Sequence, residues 1–193
     1  MALEIPPVPS IFKISPVDGD TFFFQGQRRI VTSNWGVGNQ VMESFTTAGL
    51  GTASDVNMAQ IFTVGVTGQN TSNFILTKVR LIIRDDDPPN TVIDISIEGL
   101  DINDFPNGTP ISTGQITSAD LDGDLSWRDI TMTGVTLEQG KRYALTIREN
   151  AGDWTLDRNT SGNYEGGIAL KDAVGGWESD GSDLNFEVWG AVP

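Results

Sequence analysis

Every second residue is apolar through several short stretches of this chain. Ile93, Ile95 and Ile97 fall on one side of an extended backbone and Asp94, Ser96 and Glu98 on the other, which is the period of a strand with one buried and one wet face. Val79, Leu81 and Ile83 alternate with Lys78, Arg80 and Ile82 before the run stops in Asp85-Asp-Asp-Pro-Pro-Asn90, whose prolines have no N–H to give to a ladder. Tyr143, Leu145 and Ile147 alternate with Arg142, Ala144, Thr146 and Arg148, and the pattern returns at Ile130 and Met132 and at Leu184, Phe186 and Val188. No helical period of useful length competes. The alternation and the Gly, Pro, Asn and Asp clusters between runs place strands near 59–65, 74–84, 91–98, 111–116, 127–133, 141–149, 166–171 and 183–190. Strands with one apolar face bury those faces together as two packed antiparallel sheets. The expected fold class is all-β, a two-sheet antiparallel β-sandwich, over residues 46–193.

Residues 1–45 read differently. Pro6, Pro7, Pro9 and Pro16 precede Thr21-Phe-Phe-Phe24 and Gln27-Arg-Arg-Ile-Val31, and we read this part as an extended N-terminal arm. Three adjacent phenylalanines in an arm need a surface over them. Phe22, Phe23 and Phe24 are therefore candidate docking residues, covered either by the sandwich itself or by a neighbouring subunit.

The chain has no cysteine and no histidine. Without Cys there is no disulfide framework and no thiolate chemistry, and stability has to come from core burial. Without His, Ser-His-Asp and Cys-His constellations and His-based metal sites cannot be built. Twelve Lys plus Arg against 26 Asp plus Glu give a formal charge of −14, which repels phosphate backbones and anionic lipid surfaces. Nucleic acid is not an expected partner; the acidic excess serves solubility, or collects cations in acidic loops. No run of about 18 apolar residues offers a membrane span, so membrane insertion is not expected. The first residues lack the basic and apolar regions of a secretory signal, and the last apparent strand runs to the end, so neither a leader nor an anchor is expected.

Several short segments between Ala59 and Gly190 carry a resemblance by their order. They are Gln60-Ile-Phe-Thr63, Leu76-Thr-Lys-Val-Arg-Leu81, Pro106-Asn-Gly-Thr-Pro-Ile-Ser-Thr-Gly114, Leu137-Glu-Gln-Gly-Lys-Arg-Tyr-Ala-Leu-Thr-Ile147, Tyr164-Glu-Gly-Gly167 and Phe186-Glu-Val-Trp-Gly190. In this order they resemble the jelly-roll modules of bacterial surface proteins with varied anchors ("choice-of-anchor" proteins) and of phage structural proteins. That fold family is in turn similar to carbohydrate-binding modules. The resemblance implies a jelly roll in which Gln60, Tyr143, the Gly166-Gly167 pair and Phe186 are packing and turn residues. Surface-protein members carry a signal peptide and an anchor; a virion component needs neither.

Two groups of residues are candidate sites. Asp120-Leu-Asp-Gly-Asp124 sets Asp120, Asp122 and Asp124 at alternate positions of a loop, where three carboxylates can wrap a hard cation such as calcium. As an EF-hand it fails, with Leu125 where the glycine belongs and Thr131 where the closing glutamate belongs, and a solvated turn is the rival reading. Similar acidic clusters stand at Asp85, Asp86 and Asp87, at Asp101, Asn103 and Asp104, and at Asp180 and Asp183; two such loops meeting at one end would make a shared calcium site. Trp154, Tyr164 and Trp177 lie among Asn, Asp, Arg and Glu residues in the loop-rich last third, the composition of a carbohydrate-binding surface. Burial in the core is the rival for each, and Trp177, between Gly176 and Glu178, is the best exposed candidate. No carboxylate pair stands out for glycoside hydrolysis.

The expectation is a non-enzymatic virion structural protein, made in a host cytoplasm: a capsid-decoration, tail or fibre component that docks on other virion proteins or its own protomers. The alternative is a carbohydrate- or surface-binding module, calcium-dependent if the acidic loop holds an ion. The two coincide if a virion displays the module to hold a host glycan.

Overall fold

The structure is a computed structural model, and it describes residues 21–24, 27–30, 39–47, 51–54, 56–67, 72–161 and 164–192, the first two stretches by backbone pairing alone. All regular structure among these residues is strand: β1 (Thr21–Phe24), β2 (Gln27–Ile30), β3 (Gln40–Phe45), β4 (Gly51–Ser54), β5 (Met58–Thr63), β6 (Phe74–Asp85), β7 (Val92–Leu100), β8 (Pro106–Thr117), β9 (Ser126–Thr131), β10 (Thr136–Leu137), β11 (Arg142–Ala151), β12 (Trp154–Asn159), β13 (Ala169–Ala173), β14 (Gly176–Ser179), β15 (Asp183–Leu184) and β16 (Phe186–Ala191). The chain divides into two units, Met1–Gly36 and Val37–Pro193. In the first, β1 and β2 form a hairpin that pairs Thr21 with Ile30 and Phe24 with Gln27. The side chains of Phe22, Phe23 and Phe24 lie outside the described residues, as does most of the expected arm.

The second unit is the expected sandwich of two antiparallel sheets. One sheet runs β14-β13-β5-β11-β7-β8; the other runs β15-β12-β6-β16-β3, with β9 and β10 also on β6 and β4 also on β12. Ile83 pairs with both Ser126 and Leu156, and Ile75 with both Thr136 and Ala191. β10 and β9 therefore share one edge of β6, and β16 and β12 share the other. Leu81, Ile83, Leu156, Phe186 and Val188 from this sheet meet Phe62, Ile93, Ile95, Ile97, Leu145 and Ile147 from the six-stranded one in a single buried cluster. Each such side chain contributes about 1.5–3 kcal/mol on full burial. The alternating residues seen in the sequence are thus the core, and their polar neighbours form two outer faces.

A line of rings runs through one end of that core: Phe45 on Tyr164 (5.8 Å), Tyr164 edge-on to Phe186 (5.3 Å, 90°), Phe186 on Phe62 (6.1 Å) and Phe62 on Tyr143 (6.0 Å). Buried polar groups tie the same end together. The Glu43 carboxylate accepts the N–H groups of Gly65 (2.9 Å), Val66 (3.1 Å) and Thr67 (2.8 Å), the Thr67 hydroxyl, and the Tyr164 hydroxyl at 2.9 Å. Gln60 accepts the Leu184 N–H and donates to Asp183, which accepts the Tyr164 N–H at 2.9 Å. A Cβ on Gly167 would lie 2.0 Å from the Ile61 carbonyl oxygen, and one on Gly166 would lie 2.2 Å from the Tyr164 hydroxyl. Gln60, Tyr143, Gly166, Gly167 and Phe186 are packing and turn residues here.

The strand layout differs from the sequence reading in several places: β4 and β14 fall where no strand was expected, β8 starts at Pro106 and not near residue 111, and two further differences have a clear cause. The sandwich does not start at residue 46, because Gln40–Phe45 already pairs with β16 along Phe186–Gly190. β12 falls where no strand was expected. Its outward residues Thr155, Asp157 and Asn159 are as buried as the inward ones, since β4 and the segment around Thr47 and Asn185 cover them. Trp154 and Leu156 alternate with Thr155 and Asp157, but the run lasts only four residues and is flanked by Asn150, Gly152 and Asp153 on one side and Asn159 on the other, so it reads as loop.

Replacing Glu43 by Ala strands three backbone donors and the Tyr164 hydroxyl, each costing about 1–3 kcal/mol when buried and unpaired. We expect Glu43→Ala to lose about 3 kcal/mol or more in urea unfolding, and Tyr164→Phe, which removes one donor and leaves the rest, about 1 kcal/mol. Equal losses would contradict the role given to the carboxylate.

Candidate functional site on the outer face of the six-stranded sheet

The side chains that the core does not use on β5, β7, β11, β13 and β14 share one outer face. The strand register sets them in rows across the sheet. Asp172 stands opposite Trp177, Arg148 opposite Asp94, and Asp94 opposite Gln115. Asn57 bridges the middle, donating to Asp172 at 3.3 Å and accepting the Glu149 N–H at 2.9 Å. One transverse row therefore runs Trp177, Asp172, Asn57, Arg148, Asp94, Gln115. Across five strand steps of about 4.8 Å it spans roughly 24 Å.

Beside the row lies a small apolar floor of Ala59, Ile61, Ala144 and Leu170, with Leu100, Phe105 and the half-buried Trp177 packed against it. The Arg148 guanidinium lies 5.7 Å from the Trp177 ring centre and ion-pairs with Glu98. It also reaches Thr146 Oγ1 at 3.0 Å. Glu98 is fully buried and accepts the Ser96 hydroxyl at 3.0 Å and the Gly108 N–H at 2.8 Å. Burial works to raise its carboxyl, but the bond and charge of Arg148, with Ser96 and Gly108, outweigh burial and hold it below its ordinary value. Arg148 is thereby fixed in place, and its edge joins Asp94, Ser96, Pro110, Thr113 and Asn150 in lining a groove of about 590 Å³. Asp94 accepts Gln115 at 2.8 Å and Asn150 at 3.0 Å, so the groove presents amide, hydroxyl and carboxylate groups already oriented by one another.

The sequence candidates fare unequally. Trp177 is at this face. Trp154 is fully buried and Tyr164 is 5 % exposed, with its hydroxyl spent on Glu43; neither offers a ring to a sugar, and both are core. Burial, first, and then the nearby Glu43 charge push the Tyr164 phenol far up. The Asp120, Asp122 and Asp124 triad is not assembled as a ligand set. Asp120 accepts the Thr117 N–H and hydroxyl, Asp122 ion-pairs with Arg128, and among the described residues no three acidic side chains gather to hold a metal ion. Asp101 caps its own loop, Asp104 pairs with Arg142, and Asp180 pairs with Arg158.

Arg148, Asp94, Gln115 and Asn150 were not singled out from sequence. Alternation placed Asp94 and Arg148 on wet faces and assigned no face to Gln115 or Asn150, and only the register between strands makes the four neighbours. The other sheet's outer face carries a second missed pair, Trp127 under Arg80 and Trp189 under Lys78, with ring-centre distances of 5.2 and 4.4 Å. These cations are also bound to Asp129 and Glu187. Each lysine and arginine described in the sandwich is in fact ion-paired. A polyanion would have to break these pairs before binding.

No protein-family model matches the chain, and a search of curated proteins finds no match either.

A carboxyl held below its ordinary value, near 4.5 for Glu98, stabilises the fold fully above that pH and loses its contribution as pH falls through the lowered value. Glu98→Gln is expected to cost about 1–3 kcal/mol at neutral pH, discounted for the partly exposed Arg148. The gap to the unsubstituted chain should close in acid. Urea unfolding between neutral pH and the acid limit checks this; a gap that stays constant with pH would contradict the pairing.

Proposed function

We propose that this chain is a non-enzymatic recognition and display module in which the outer face of the six-stranded sheet holds an uncharged glycan chain. The observation that carries this reading is the transverse row from Trp177 through Asp172 and Arg148 to Asp94 and Gln115. A sugar ring needs an apolar surface for its C–H face and paired donors and acceptors for its hydroxyls. The row has an indole at one end and a polar groove at the other. Its arginine is neutralised by a buried glutamate, which favours a neutral ligand over an anionic one. The groups are held by one another before any ligand arrives, which lowers the ordering cost of binding.

The setting we infer is a virion, with the chain as a capsid-decoration, tail or fibre component that docks through its N-terminal segment. The division of the chain into Met1–Gly36 and Val37–Pro193 supports a docking part and a displayed part, and the jelly-roll resemblance of phage structural proteins supports the setting.

Two experiments bear on these readings. On a glycan array, we expect binding to a limited set of neutral oligosaccharides, weakened at least tenfold by Trp177→Ala and by Asn150→Ala, with circular dichroism unchanged. Binding to no glycan, or undiminished binding by both variants, would refute the face. Deleting residues 1–36 should leave the sandwich folded and abolish co-purification with the particle; a truncated chain that still co-purifies would refute N-terminal docking.

A further inference from the structure

Toward the end of the outer-face row opposite Trp177, Asp94 holds two side-chain amides, one on each oxygen. Its Oδ1 accepts Gln115 Nε2 at 2.8 Å and its Oδ2 accepts Asn150 Nδ2 at 3.0 Å. The two donors arrive from the strands on either side of β7. Gln115 comes by regular pairing, since β8 sets it directly across from Asp94. Asn150 comes by an irregularity: Glu149 pairs with Ile93 and Ala151 with Val92, so Asn150 is an extra residue in β11 with no partner on β7. A bulge of this kind re-aims a side chain, and here it brings an amide onto Asp94.

A carboxylate can only accept, so each amide has to turn its NH2 toward Asp94. What each amide has left is its carbonyl oxygen. Neither Gln115 Oε1 nor Asn150 Oδ1 has a hydrogen-bond partner among the described residues, and Asp94, Gln115 and Asn150 are all exposed. Asp94 and Asn150 line the groove together with Glu149. Among the described residues no lysine or arginine pairs with Asp94 or Glu149. Arg148 Nη1 and the Ser96 hydroxyl, the nearby donors, are both committed to Glu98. Around Asp94 the groove is therefore a set of acceptors whose direction one carboxylate fixes.

We propose that this end of the site selects sugars whose hydroxyls are free, and that Asp94 sets the specificity by turning both amides. The inference rests on the glycan reading of the face. A free hydroxyl has a hydrogen to give to these oxygens; an O-methyl or O-acetyl group has none and leaves them facing another acceptor. A site built to bond a hydroxyl rejects an analogue without that donor far more strongly than a site that only packs against it. Asp94→Asn reverses part of the array. Its new side-chain NH2 needs an acceptor, so Gln115 or Asn150 turns its carbonyl inward and presents NH2 to the groove.

The test uses the full chain on an array of cello-, xylo-, manno-, galacto- and malto-hexaoses, each printed with free hydroxyls and as its O-methyl ether. The unsubstituted chain is expected to bind the free form of any hexaose it recognises about tenfold or more tighter than the O-methyl form. In Asp94→Asn that ratio should fall to about threefold or less, with the free form bound more weakly and the O-methyl form more tightly. Methyl bulk is the same for both proteins, so a ratio that Asp94→Asn leaves unchanged overturns the role of Asp94. Equal binding of the two forms by the unsubstituted chain overturns the specificity and leaves the glycan reading standing; binding to no hexaose in either form overturns both. Should circular dichroism show that Asp94→Asn fails to fold, Asn150→Ala decides. It deletes one acceptor oxygen, and should weaken the free form about tenfold while leaving the O-methyl form within about twofold. Equal weakening of both forms overturns the specificity.

Discussion

Two sheets that are each apolar on one side satisfy that side only against each other, and this single contact divides the roles of the strand residues described in the sandwich. Ile93, Ile95 and Ile97, facing Leu81, Ile83 and Phe186 across the sandwich, are committed to the core. Asp94, Ser96 and Glu98 on the same strand are thereby turned outward, and β11 turns Thr146 and Arg148 outward beside them. The outer face of the six-stranded sheet is a by-product of where the core lies. Its precision comes from the ladder, because a slip of one residue in register would exchange the two faces.

A chain without cysteine cannot staple its loops covalently, and in this one carboxylates do that work. Glu43 gathers the turn after β5 and the Tyr164 segment. Asp183 holds the Tyr164 backbone and Gln60. Glu98 holds the Gly108 turn and fixes Arg148. In each case a buried anion is matched by donors pointed at it, the condition under which burial of charge is tolerated. Part of the acidic excess thus belongs to the architecture and not only to solubility.

The strands with one wet face were legible because packing and alternation are the same fact seen twice. β12 was not, since its alternation lasts only from Trp154 to Asp157 among turn-forming residues, and β3 was absorbed into a proline-rich stretch that reads as an arm. Among the aromatics, the flanking Gly176 and Glu178 marked Trp177 as the most exposed, as it is, but sequence context did not show what buries Trp154 and Tyr164. The difference lies in the partners supplied from distant segments, Glu43 for Tyr164 and Arg148 for Trp177. The neighbourhood of Arg148, Asp94 and Gln115 likewise depends on three strands from separate parts of the chain. Side-chain type is local and was readable; adjacency across strands was not.

The central claim is that the outer face of the six-stranded sheet, and not that of the sheet carrying Trp127 and Trp189, is where this protein meets its ligand. Both faces present tryptophan beside a paired cation, so the claim is decided by location. An amide and indole NMR titration with a bound oligosaccharide measures that location directly. The account predicts shifts concentrated at Asp94, Arg148, Asp172 and the Trp177 indole, with the Trp127 and Trp189 indoles unmoved. Shifts centred on Trp127 and Trp189 instead would contradict it.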